Sequence, residues 1–184
     1  MPDLPFPLSS STLVVGPSNT GKTRLTAQAL DSWVTEHGPE GVVVLEFAPE
    51  VERDGVLLGG RLSRFTEVPD DAWHGVLEAH APRSASESEE EARELASENA
   101  ANAGRLLDAA PANPTAVFVN DATIALQADA DATGRLTSYC DRADVAVLNA
   151  FESDELGSDD AVSRNERAAL RRLRAWAERV VELG

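Results

Sequence analysis

The chain contains almost no lysine. Its 16 basic residues are 15 arginines and one lysine, Lys22, set against 32 acidic residues for a formal net charge of −16. Nucleic-acid phosphates are held by clustered Lys and Arg, so a two-to-one carboxylate excess argues against a nucleic-acid binder. Acid excess with so little lysine fits a salt-rich cytoplasm of the halophile type. There, at ~1 M salt, the Debye length falls to ~3 Å and surface repulsion is screened. Thermal stability is therefore expected to rise with KCl, and a melting temperature flat from low to molar salt would contradict this. One cysteine, Cys140, can form no internal disulfide, and three scattered histidines offer no zinc-ligand spacing. Long apolar runs are also missing. Ser11–Val15, Gly41–Phe47, Ala116–Val119 and Val145–Leu148 all fall short of the ~20 residues of a membrane span. The opening MPDLPFPLSS lacks the basic start and apolar stretch of a signal peptide. The expectation is a cytoplasmic protein with no membrane partner, a single domain over residues 1–184 with a flexible acidic segment at 82–92.

What is present is an alternation of short apolar runs and helical stretches, the pattern of a three-layer α/β/α fold with a mainly parallel sheet. Strands are expected at Thr12–Val15, Val42–Leu45, Ala116–Val119 and Val145–Leu148, with a closing strand at Arg179–Leu183. Helices are expected at Thr23–His37, up to Asp108 after the acidic run at 84–92 (itself a solvated loop or the frayed start of that helix), and from Ser163 to Glu178. The last opens with Ser163-Arg164-Asn165-Glu166, the S-x-x-E form of a capping box. Arg64–Val68 reads as a short strand, and Pro69 at a first turn predicts a helix over Asp70–Ala79.

The chemistry-bearing motif is Gly16-Pro17-Ser18-Asn19-Thr20-Gly21-Lys22-Thr23, a full match to G-x-x-x-x-G-K-[ST] between a strand and a helix. The glycines allow backbone amides to turn toward phosphate oxygens, and the following helix points its positive end at the same place. Lys22 is expected at the β- and γ-phosphates and Thr23 on Mg²⁺, with Arg24 counted among the nucleotide-binding residues. The single lysine falls where a compact ammonium is required and a planar guanidinium does not substitute.

Such a site needs a carboxylate at the end of a neighbouring strand to hold Mg²⁺. Asp121, after the run Ala116–Val119 and Asn120, fits; its alternative role is to cap the next turn. Ala122 follows, where helicase-type ATPases carry Glu, so Glu46 or Glu50 at the end of the second strand is the candidate base. Asn149 is placed to sense the γ-phosphate, and Arg164 to act as an arginine finger. Trp33, Trp73 and Trp176 read as core residues.

Strand, GPSNTGKT, helix, VVVLEFAPE and VFVNDATIAL together resemble the RecA/KaiC-like group of P-loop ATPases. The resemblance implies ATP and Mg²⁺ as ligands, Asp121 as the magnesium acid and Glu46 or Glu50 as the base. It also implies a homo-oligomer or protein partner that regulates slow hydrolysis. RFTEVP, VAVLNAF and ERVVELG add a looser resemblance to adenosylcobinamide kinase/guanylyltransferase. Gly59–Phe65 lacks the histidine of that family's H-R-x-x-R-P motif, so this likeness implies a small-molecule kinase rather than guanylyl transfer. A third reading is a nucleotide-binding signalling module with negligible turnover. A Ras-like N-K-x-D guanine motif is excluded because Lys22 is the only lysine.

Overall fold

The computed structural model describes residues 3–49, 51–58, 60–82, 86–153 and 159–184, with backbone alone at 51–53 and 56–58. Glu50 and Gly59 lie outside the described residues, as do 83–85 within the acidic segment. In chain order the elements are β1 (Ser10–Gly16), α1 (Lys22–His37), β2 (Val42–Glu46), β3 (Val51–Arg53), β4 (Val56–Leu58), β5 (Trp73–Val76), α2 (Glu89–Ala109), β6 (Ala116–Asn120), α3 (Thr133–Cys140), β7 (Val145–Phe151), α4 (Ala161–Trp176) and β8 (Arg179–Glu182). Six strands form one sheet in the order β5-β2-β6-β7-β1-β8, and every pairing in it is parallel. β3 and β4 form a separate antiparallel hairpin.

The central strands are apolar on both faces because helices cover both. Period-two alternation divides them cleanly. Val14, Val42, Val44, Ala116, Phe118, Val145 and Val147 pack with Leu25, Ala29, Leu30 and Trp33 of α1. Leu13, Val15, Val43, Leu45, Val117, Val119, Ala146 and Leu148 pack with Ala103 of α2, Leu136 and Tyr139 of α3, and Leu170 and Leu173 of α4. The result is three layers, α1 on one face and α2, α3 and α4 on the other. α1 leaves β1 toward β2, whereas α4 carries the chain from β7 across to β8 on the far side of β1. The winding therefore reverses at β1, and a ligand crevice in such sheets opens at the carboxyl ends beside that reversal.

Three local expectations are corrected, and one left with two alternatives is decided. Residues 70–79 are not a helix: Trp73–Val76 is β5, paired with Val43–Glu46 of β2. Gly75 disfavours a helix, and a doubly buried β2 needs a neighbour for its outer row of N–H and C=O groups. A Cβ at Gly75 would meet the Trp73 ring at 2.5 Å, so its absence lets the indole fold back along the strand. Arg64–Val68 is not a strand either; Leu62–Arg64 is one turn of 3-10 helix. Of the two readings of the acidic run, the helix start holds where it reaches Glu89–Glu91: those residues form the first turn of α2, where carboxylates complement the helix dipole, capped by the Ser88 side chain. Finally, α4 is capped three residues earlier than expected, by Asp160, whose carboxylate accepts from the Ser163 amide at 2.9 Å.

Candidate functional site

The glycine-rich stretch 16–21 joins the carboxyl end of β1 to the first turn of α1. Gly21 is the N-cap of α1 in the left-handed region (φ 93°, ψ 13°), a conformation costly for any residue with a Cβ. It brings no capping side chain, and the first helical turn contains no acidic residue. The positive end of α1 is thus left to whatever anion approaches it. Asn19 is also left-handed, at φ 61°. Gly16 serves a different need: a Cβ there would stand 2.3 Å from the Leu183 carbonyl oxygen. Across the loop, the Thr20 hydroxyl donates to the Pro17 carbonyl at 2.9 Å, and the Lys22 ammonium donates to the same oxygen.

Beneath this loop lies a buried polar row, set by strand periodicity. Counting from Val42, Ala116 and Val145, the fifth residue of each run is Glu46, Asn120 and Asn149, and all three share the α1 face. Each is at most 2% exposed. Asn120 fills all four of its hydrogen-bonding capacities: Nδ2 donates to Glu46 Oε1 (2.5 Å) and the Gly60 carbonyl (2.7 Å), while Oδ1 accepts from Thr23 Oγ1 (3.2 Å) and Asn149 Nδ2 (2.9 Å). Asn149 Nδ2 also donates to Thr26 Oγ1 (2.8 Å), and its Oδ1 accepts the Asp121 amide (2.8 Å). Thr23 and Thr26, one helical turn apart, both reach down to this row. The network ties the first turn of α1 to the ends of β2, β6 and β7.

Glu46 terminates the row. Its carboxylate accepts from the Leu62 amide (2.8 Å) and the Ala48 amide (3.4 Å) as well as from Asn120. Burial pushes its pKa up from 4.5 to about 7; those three hydrogen bonds pull it down, and the nearby Asp121 charge pushes it further up. The group is poised to hold or release a proton near neutrality. Both of its oxygens are occupied, however: Oε2 holds the Leu62 amide, and Oε1 holds Asn120 and the Ala48 amide.

Asp121 follows Asn120 in a left-handed conformation (φ 57°) and starts the 3-10 turn Ala122–Leu126. The strand-end residue bonded to Thr23 is Asn120, with Asp121 beside it. The structure therefore brings Lys22, Thr23, Asp121, Glu46 and Asn149 to one edge of the sheet. Arg164 is engaged with the Asp159 carbonyl, and Glu50 is outside the described residues. Sequence reasoning missed Asn120 and Thr26. Their signal was present: VVVLE, AVFVN and VAVLN each place one polar side chain in fifth position after four apolar ones.

Two further features flank the loop. On the α4 side, a cavity of about 300 Å³ lies over Phe151 and Leu170 and is edged by Arg167, Arg171 and Arg174. Phe151 pairs with Gly16 in strand register, and the Glu152 amide donates to the Gly16 carbonyl at 3.0 Å, so the cavity adjoins the loop's first residue. On the α1 side, Phe65, 39% exposed, lies beneath two guanidinium groups, Arg24 at 5.2 Å and Arg64 at 5.9 Å from the ring centroid. Comparison with known protein families and with curated proteins finds no match for this chain.

Proposed function

We propose that this chain is a P-loop nucleoside triphosphatase of the RecA/KaiC-like type that binds ATP with Mg²⁺ and turns it over slowly. The observation that carries the reading is the position of G-x-x-x-x-G-K-T. The motif lies at the carboxyl end of β1, where the winding of a parallel sheet reverses, and runs directly into an uncapped helix N-terminus. In this reading the amides of residues 16–23 and the Lys22 ammonium hold the β- and γ-phosphates. Lys22 leaves the Pro17 carbonyl to do so.

The donor set suits Mg²⁺, a hard cation that takes oxygen ligands. The Thr23 hydroxyl and the Asp121 carboxylate, which follows the Asn120 bonded to Thr23, supply oxygen alone. Bound there, the ion would neutralise charge developing between the β- and γ-phosphates. The cavity over Phe151 and Leu170 is where the nucleoside end would rest, its apolar floor and guanidinium rim suiting a planar base. Slow turnover follows from what surrounds the phosphates. Glu46 is the base candidate, but both of its oxygens accept backbone or Asn120 hydrogen bonds, which weakens its hold on a water. A partner or second copy that supplies an arginine would speed the reaction.

Isothermal titration with ATP and GTP in molar KCl tests the binding. Wild type should bind MgATP, and Lys22→Ala should lose at least tenfold, because a charge-assisted contact to phosphate contributes about 1.5–3 kcal/mol. ATP binding unchanged by Lys22→Ala would overturn the proposal. Turnover per molecule measured across protein concentrations then tests activation by self-association; a constant value argues against it.

A further inference from the structure

With carboxylates outnumbering basic groups two to one, a guanidinium in this chain has little difficulty finding a partner. Most do: Arg93, Arg135, Arg172 and Arg174 pair with carboxylates, and Arg105, Arg142, Arg164 and Arg179 donate to carbonyl, amide or hydroxyl oxygens. Among the described residues, only Arg24, Arg61, Arg64, Arg167 and Arg171 have neither kind of partner. Arg167 and Arg171 edge the cavity beside β7. Of the other three, Arg24 and Arg64 stand over Phe65 on the α1 side, and Arg61 opens the turn that carries Arg64.

Their arrangement has an identifiable cause. Leu62–Arg64 is a 3-10 turn with Arg61, in extended conformation, at its N-cap, so Arg61 and Arg64 stand at the two ends of one short turn. Arg24, third residue of α1, reaches the Phe65 ring from the helix. The buried row holds the turn in place, through Asn120 on the Gly60 carbonyl and Glu46 on the Leu62 amide. Arg61 keeps its Nε–H buried with no acceptor. Its charge also presses on His74 of β5, whose imidazole is driven below its ordinary pKa by burial and then by Arg61. Arg24 and Arg64 thus meet over an exposed phenyl ring, with Arg61 opening the same turn, and among the described residues none of the three is in an ion pair.

We propose that Arg24, Arg61, Arg64 and Phe65 form a site for a second ligand, an organic phosphate monoester with a planar body. Three guanidiniums match a group of charge near −2 better than a single carboxylate, and their fork geometry suits phosphate oxygens. Phe65 and the guanidinium planes give the planar body a stacking surface. Arg24 follows Lys22 by two residues in α1, so the site adjoins the end of the glycine-rich loop. Its role as a partner site to a bound triphosphate rests on the nucleotide-binding reading; the binding of the monoester does not.

Phenyl phosphate and inorganic phosphate serve as probes, titrated calorimetrically into Lys22→Ala protein so that the loop lysine contributes nothing. Phenyl phosphate should bind, and about tenfold more tightly than inorganic phosphate, the increment expected of one aromatic stack. Arg64→Ser should weaken both by about tenfold, as loss of one charge-assisted contact predicts. Phe65→Leu should abolish the preference for phenyl phosphate while leaving inorganic phosphate unchanged. Both side chains are exposed, and equal melting temperatures certify that the variants fold. Binding that disappears with Lys22→Ala, or that survives Arg64→Ser at full strength, overturns the site and leaves the nucleotide reading intact. Failure of wild type to bind ATP, with phenyl phosphate still responding to Arg64→Ser, refutes the nucleotide reading and leaves this site standing.

Discussion

Replacing Glu46 by Gln isolates a buried carboxyl whose pKa is pushed up to about 7. A carboxyl whose folded pKa lies above its unfolded value binds its proton more tightly in the folded state. The stabilisation from the neutral form is then complete below the unfolded value and is lost as pH rises toward the folded one. Here the window runs from 4.5 to about 7. With ~1.36 kcal/mol per pKa unit, wild-type stability should fall by roughly 2.5 kcal/mol from this group between pH 5 and pH 8. Glu46→Gln removes that slope and substitutes a constant cost. The Leu62 amide, the Ala48 amide and Asn120 Nδ2 are all donors, and an amide offers them one oxygen and a donor of its own. A donor facing a donor in a buried site costs about 1–3 kcal/mol. The two proteins should therefore be close in stability at pH 8 and well separated at pH 5, with the variant weaker. At ~2–4 °C per kcal/mol for a chain of this size, the gap in melting temperature should widen by about 5–10 °C. Calorimetry of both proteins at pH 5 and 8 in the same molar KCl reads this, and the other carboxylates cancel in the difference. An equal gap at the two pH values would refute the titration assigned to Glu46.

Asn120→Leu strips partners from Glu46, Asn149, Thr23 and the Gly60 carbonyl at once, and should cost about 3 kcal/mol or more, read as a lower urea midpoint; a shift below 1 kcal/mol would mean that the row is not a connected network. Gly16→Ala sets a methyl 2.3 Å from the Leu183 carbonyl oxygen and should destabilise by about 1–3 kcal/mol in thermal melts, with β8 displaced because the Leu183 amide also bonds Val15. Cys140 is fully buried, and burial pushes its thiol well above the ordinary range, so a thiol reagent should label it only at the rate of unfolding. Rapid labelling of native protein would contradict that placement.

How far these features could be read from the sequence varies in a regular way. The glycine-rich loop was legible because its chemistry is local: eight consecutive residues carry the conformational and electrostatic requirements together. The central strands were legible for a similar reason, since runs such as Val42–Leu45 and Val145–Leu148 are continuous and β-branched. The turn at Asp54-Gly55, where both residues adopt positive φ (52° and 76°) between β3 and β4, was not picked out. Trp73–Val76 was misread because β2 decides its conformation: the hydrogen bonds that make it a strand come from residues about thirty positions earlier.

The same division runs through the site. Sequence alone determined the alternating α/β pattern and the place of the glycine-rich loop between β1 and α1, because each depends on neighbouring residues. Only the tertiary structure decided that Glu46, Asn120 and Asn149 form one row under α1, since their adjacency depends on the strand order β2-β6-β7 and on a shared register across the sheet. Only it decided which arginines are left without partners. Salt bridges join residues far apart in the chain, as between Arg135 and Asp108 or Arg174 and Glu152, so an arginine that lacks one is recognised only when every neighbour has been placed.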